Sequence, residues 1–220
     1  MLLANDYVTL YESPDPSTIY AYSPGLCQLA SGRLVATMDQ GGPGVAALPG
    51  PRGYRGEGEH AWQGRIWTSD DRGQTWDERG LFPFMHARPF VAGHSLYILG
   101  HDSDLCIIRS DDGGETWSQP QMLTTGGHWH QSACNVHYAR DRVYLVMEKR
   151  MARDCPGWPV SELAPILMSA GVADDLTQRE NWIFASEMSF AEIAEEPALL
   201  PVPFWAQGPV DGQGKRVMHP

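Results

Sequence analysis

One eight-residue phrase occurs twice in this chain. Ser69-Asp70-Asp71-Arg72-Gly73-Gln74-Thr75-Trp76 returns 41 residues later as Ser110-Asp111-Asp112-Gly113-Gly114-Glu115-Thr116-Trp117, and each copy follows an apolar run. A repeat of about 40 residues is the span of one β-propeller blade, so the phrase bears on the whole architecture. Its residue types describe a hairpin turn. Asp carboxylates accept hydrogen bonds from backbone N–H groups one to three residues on. Gly supplies positive φ. The Trp ring covers the turn while its indole N–H finds an acceptor. A calcium loop of the D-x-D-x-D-G kind ends in a distant bidentate Glu, which neither copy has in register. The acidic residues of the phrase are therefore expected to serve folding rather than chemistry.

The pattern S-x-D-x-G-x-T-W is the Asp-box, and on these residues the chain resembles the sialidase-like (BNR-repeat) propeller superfamily. The resemblance implies an all-β propeller of four-stranded blades acting on carbohydrate. It covers about residues 20–186 and is carried by the two boxes.

Bulk properties agree with a many-turned β protein. Of 220 residues, 42% are hydrophobic, 23 are Gly and 17 are Pro, as frequent turns require. A net charge of −11 argues against nucleic acid or an anionic membrane as partner. An acidic sugar stays open, because a locally basic site can sit on an acidic protein. No apolar run approaches the ~20 residues of a spanning helix. The segment Met1–Asp6 is too short and meets a charge too early for a signal peptide, so cytoplasmic residence is the default expectation; export applies if the native N-terminus lies further upstream. The four cysteines lack metal spacing, and no disulfide framework, cofactor or metal is expected.

Strands A (inner) to D (outer) can be laid against the repeat. The first unit, about residues 22–83, has A at Gly25–Leu29, B at Arg33–Met38, a long loop from Asp39 to Gly64, C at Arg65–Ser69 and D at Trp76–Phe82. The second, about 87–124, has A at Pro89–Ala92, B at Ser95–Gly100, C at Leu105–Ser110 and D at Trp117–Leu123. The third, about 130–186, has A at Ser132–Tyr138, B at Arg142–Glu148, an insertion over 149–162, C at Ala164–Ser169 and D at Asn181–Ser186. Its C–D turn, 170–182, reads as a degenerate, expanded turn that keeps its Trp. Residues 187–220 read as an irregular tail or the start of a fourth unit. Three units do not close a ring of ~4–8 blades. The expectation is one partial propeller domain: a piece of a longer ring, or a chain that self-associates through open blade edges.

Strand alternation then predicts where chemistry sits. The start of A, the end of B and the B–C loop share one face; the boxes, as C–D turns, lie on the other. The first face collects titratable residues from separate units, the pattern of a plausible site. His86, Arg88, His130 and Glu148 are the catalytic candidates. Asp39, Arg55, His101, His128 and Arg150 are the substrate-binding candidates. His128 and His130, two apart on one strand face, also suit a metal, but no third ligand stands at a fixed spacing.

Two reactions fit these residues, with binding alone as a third reading. In the resemblance, a sialidase-type glycoside hydrolase acts on acidic glycans. Sialidases carry a Tyr/Phe-Arg-Ile-Pro phrase at the first inner strand, whose Arg helps clamp the sugar carboxylate. The matching phrase here is Tyr22-Ser23-Pro24-Gly25, so that Arg is absent. Some relatives are polysaccharide lyases, which need a base to take the proton α to a carboxylate and a cation to neutralise it. His86 with Arg88, or His130 with Arg150, meets that need. Asp-boxes also occur in propellers that only bind, because they mark the fold and not the activity.

Overall fold

A computed structural model describes residues 6–55, 60–131, 136–151, 163–185 and 187–188 of the chain, with Arg55, His60 and Gln131 described by backbone only. The expected insertion and tail lie largely outside the described residues. The fold is all-β, a partial propeller. Strands β1 (Tyr20–Gln28), β2 (Leu34–Gly42), β3 (Gly53–Arg55), β4 (His60–Ser69) and β5 (Asp77–Phe82) form the first sheet, in which β3 and β5 share the outer edge of β4. Strands β6 (Met85–Ala92), β7 (Ser95–Asp102), β8 (Asp104–Ser110) and β9 (Gln121–Met122) form the second. Strands β10 (Trp129–Gln131), β11 (His137–Ala139), β12 (Arg142–Arg150), β13 (Leu163–Gly171) and β14 (Trp182–Phe184) form the third, in which β10 and β11 both pair with β12. Every pairing is antiparallel.

Several strands depart from the sequence reading. The loop expected over Asp39–Gly64 is shorter: β2 runs on to Gly42, β4 begins at His60, and a 3-10 turn (Pro43–Ala47) and β3 occupy part of the interval. Strands β1 and β6 begin earlier than expected, because each continues across a β-bulge, between Tyr22 and Gly25 and between Met85 and Arg88. A bulge hides the period-2 pattern that identifies a strand.

The sheets stack face to face through apolar side chains. Val35, Ile66 and Phe82 of the first sheet meet Leu96, Ile98 and Ile108 of the second. Phe90, Tyr97, Leu99 and Ile107 of the second meet Leu145, Ile166, Met168 and Trp182 of the third. Each aliphatic side chain fully removed from water in this way contributes about 1.5–3 kcal/mol. The inner strands line a cavity of about 450 Å3, bounded by Gly25 and Cys27 of β1, Arg88 and Pro89 of β6, Tyr138 of β11 and Val136 just before it. Strands β1 and β6 lie against one another, and this inner side of the sheets is the hub.

The two repeated phrases fold alike. Ser69 Oγ donates to Asp71 Oδ1 and accepts from the Gly73 N–H, both at 2.8 Å. Asp71 also accepts from the Thr75 N–H at 2.8 Å and its hydroxyl at 2.6 Å, and Trp76 Nε1 donates to the Gly73 carbonyl at 3.0 Å. Ser110, Asp112, Thr116 and Trp117 repeat these bonds. Gly73 and Gly114 stand at φ +86° and +91°, a conformation that strains other residues. The third C–D turn keeps more of the pattern than its Trp: Asp175 accepts from the Thr177 hydroxyl at 2.8 Å, and Trp182 Nε1 donates to the Leu176 carbonyl at 2.8 Å.

Candidate active site on the hub face

The cross-strand register sets the site. On β2, Asp39 pairs with Tyr22; on β7, His101 pairs with Met85; on β12, Glu148 pairs with His130. Asp39, His101 and Glu148 therefore hold the same place in three successive sheets, at the hub end of strand B. Each sheet presents one titratable side chain there, and none of the three belongs to the repeated phrase.

Three imidazoles gather at this end. His86 Nδ1 lies 2.9 Å from His101 Nε2. The His86 ring centroid is 4.8 Å from that of His130, and the His101 and His130 centroids are 6.1 Å apart. His130 Nδ1 lies 3.0 Å from Glu148 Oε2. A carboxylate only accepts, so His130 donates through Nδ1. His86 stands at φ +54° inside the β6 bulge. A left-handed conformation in a non-glycine residue carries strain, which clusters at functional sites. The equivalent bulge of β1 holds Ser23, at φ +43°.

Burial tunes these groups. The His86 imidazole is pulled down to about 4, by burial first and then by His130 and Arg88. It is a neutral ring at neutral pH. Burial pushes the Asp39 carboxyl well above the ordinary carboxylate range, against the backbone N–H groups of Ala87 and His86 and the charge of Arg88. Burial also raises Asp102. Desolvation dominates all three shifts.

The nominated residues separate into groups. His86, His101, His130 and Glu148 come together, and Arg88 stands close enough for its charge to reach both Asp39 and His86 while it lines the hub cavity. Asp39, expected to touch substrate, is fully buried and its Oδ2 accepts the Ala87 N–H at 3.2 Å. The bulged backbone of β6 covers it, so it supports the His86 segment from behind. His128 precedes β10, and its carbonyl accepts the Arg150 N–H at 2.7 Å. The Arg55 side chain lies outside the described residues. No group of three or more His, Cys, Asp or Glu among the described residues is arranged to hold a metal ion.

Sequence reasoning missed Asp104. Its carboxylate accepts the Thr124 hydroxyl at 2.7 Å, the Gly126 N–H at 2.7 Å and the Gly127 N–H at 2.8 Å. Next to it, the Ser103 carbonyl accepts the Trp129 N–H at 2.7 Å. These bonds fix the segment that delivers His128 and His130 to the hub. An acidic residue in the tight Asp102-Ser103-Asp104 hairpin looks in sequence like any turn former, so no local signal marked it.

No protein-family model and no curated protein matches the sequence. Among solved structures, an alpha-L-arabinofuranosidase from Lactobacillus brevis is similar with a TM-score of 0.53 at 14% identity, over 79% of this chain and 57% of that one. An alpha-L-arabinanase from Penicillium chrysogenum, solved with arabinobiose, is similar with a TM-score of 0.50 at 15% identity, over 80% of this chain and 52% of that one. At these identities the likeness is one of fold, and the chain spans little more than half the length of either structure.

Proposed function

We propose that the protein is a propeller glycoside hydrolase acting on oligo- or polysaccharides, with His130 and Glu148 as its proton-transfer pair. The observation that carries this is the 3.0 Å contact between His130 Nδ1 and Glu148 Oε2, beside His86 and at the hub end of the sheets. Hydrolysis adds water across the glycosidic C–O bond: the hydroxyl goes to the anomeric carbon and a proton to the departing oxygen. His130 Nε2 can take a proton from water and return it to the leaving oxygen. Glu148 holds the ring in that tautomer and balances the imidazolium as it forms. The glycosidase fold of the similar solved structures supports the same reaction class. The finer reading, a sialidase-type enzyme for acidic glycans, rests on the twin turns and on Arg88 as a guanidinium for a sugar carboxylate.

A lyase reading is favoured by one feature. Asp39 is buried, so the nominated residues do not offer the two exposed carboxyl groups typical of glycosidases. In β-elimination His130 would take the proton α to a uronate carboxylate, Arg88 or Arg150 would neutralise the enolate, and the C4–O bond would break as the double bond forms, the departing oxygen taking up a proton from His130 or water. Incubation with arabinan, sialosides and polyuronates separates the readings. Hydrolysis gives new reducing ends without near-ultraviolet absorbance, and elimination gives an absorbing unsaturated uronide. A pure binder gives no product and keeps its affinity when His86 or His130 is removed.

A further inference from the structure

We propose that Tyr20 and Tyr22 form a stacking subsite for a sugar ring of the glycan, next to the histidine cluster; the assignment rests on the glycan-cleaving reading above. Both tyrosines lie on β1 ahead of its bulge, two residues apart and so on one face of the strand. They are large apolar groups left 40% and 41% exposed. Their rings meet edge to face, with centroids 6.3 Å apart at 76°, and make a two-sided aromatic corner.

The backbone beneath them leaves room for the rings. A Cβ added at Gly41 would stand 2.9 Å from Cε2 of Tyr22, and one at Gly42 would stand 2.9 Å from both Cδ2 and Cε2 of Tyr20. Each ring therefore rests against a glycine of β2, at a distance that a side chain there would not permit. The Tyr20 hydroxyl donates to the Ser17 carbonyl at 3.1 Å, which ties that ring down. A tyrosine has few torsions to freeze, so a ring already held in place loses little entropy on binding.

The corner stands at the end of the first sheet that holds Asp39. Tyr22 is the cross-strand partner of Asp39, and Asp39 accepts the N–H of Ala87, next to His86. Sugar rings carry a face of C–H groups that packs on aromatic surface while their hydroxyls stay in water. An aromatic corner that is part solvent-facing and at the register of Asp39 matches that chemistry.

The test measures binding and cleavage separately on the whole chain. Probes are hexasaccharides prepared from arabinan, xylan and polygalacturonate, with affinity from calorimetry and contact from saturation-transfer NMR. The expected result is binding of at least one probe with saturation of tyrosine ring protons. Tyr22→Ala weakens that affinity tenfold or more, and Tyr22→Phe stays within threefold of the original. Gly41→Ala, which leaves both rings in the chain but crowds Tyr22, weakens it at least threefold with an unchanged circular dichroism spectrum. Unchanged affinity in folded Tyr22→Ala, or failure of every probe to bind, overturns the subsite. The cleavage reading is judged on its own by product formation from the polymers and its loss in His130→Ala.

Discussion

The two ends of the same strands are built on different rules. At the outer turns, charged groups pair within a turn, with a neighbouring turn of the same sheet, or with the next sheet. Arg33 chelates Asp70 with two bonds of 2.7 Å and reaches Glu115 of the second turn; Arg79 meets Glu115 at 2.8 Å, and Arg109 meets Asp175 of the third at 3.3 Å. The pattern repeats from sheet to sheet, and so does the sequence. At the hub end, equivalent positions hold Asp39, His101 and Glu148, three different side chains on one backbone plan. The links between sheets there are carboxylates accepting backbone N–H groups, Asp39 to Ala87 and Asp104 to Gly126 and Gly127. Repetition marks what every sheet needs in order to fold. Chemistry is to be sought where equivalent positions differ.

Breaking the hub end should cost rate and not stability. His130→Ala is expected to lower kcat by roughly 10²–10⁴-fold, the usual contribution of a positioned acid or base, while the melting temperature changes little. A comparable loss of stability in this variant would assign His130 to folding and dissolve the contrast between the two ends.

Acid should sharpen the contrast next. His86 has its folded value lowered to about 4 from 6.5, so the unfolded chain binds the extra proton first. Stability from this group is present above about pH 6.5 and is lost as pH falls toward 4, on the order of 3 kcal/mol in all. Asp39 has the opposite sign: its raised value favours the folded state at low pH and withdraws that support as pH rises. Denaturant melts across pH should therefore show His86→Gln less sensitive to acid. Asp39→Asn, which keeps an acceptor for the Ala87 N–H, should be at least as stable as the parent at pH 8.

The outer turns should show the reverse behaviour at smaller scale. Ser110 is buried and its hydroxyl serves both Asp112 and the Gly114 N–H. Ser110→Ala should cost about 1–2 kcal/mol in urea unfolding with kcat unchanged. Arg33→Met should cost less than about 1 kcal/mol, since partly exposed ion pairs contribute little, and that cost should shrink in high salt. A larger loss would show that the turn rim holds the sheets together as firmly as the apolar core does.

The fold was legible because its signals are local. The twin turns, the apolar runs before them and the short A–B links placed most strands near their observed positions. Features set by contact between sheets were not legible. The bulges at Ser23 and His86 break strand periodicity, and only the structure shows that both sit at the same place in their sheets. The grouping of the candidate residues was partly legible. Assigning strand ends nominated His86, His101, His130 and Glu148, but the burial of Asp39 follows from the path of β6 over it. The work of Asp104 depends on a segment 20 residues further on. Neither leaves a mark in its own neighbourhood.

The central claim is that the imidazoles from β6, β7 and β10 form one coupled cluster at the hub. Titrating the ring nitrogens by long-range nitrogen–proton NMR tests it most directly. The account predicts that His86 stays neutral until about pH 4, that His130 carries its proton on Nδ1, and that His130→Ala moves the His86 midpoint upward. Three rings titrating independently near the ordinary value of about 6.5, each indifferent to loss of the others, would contradict it.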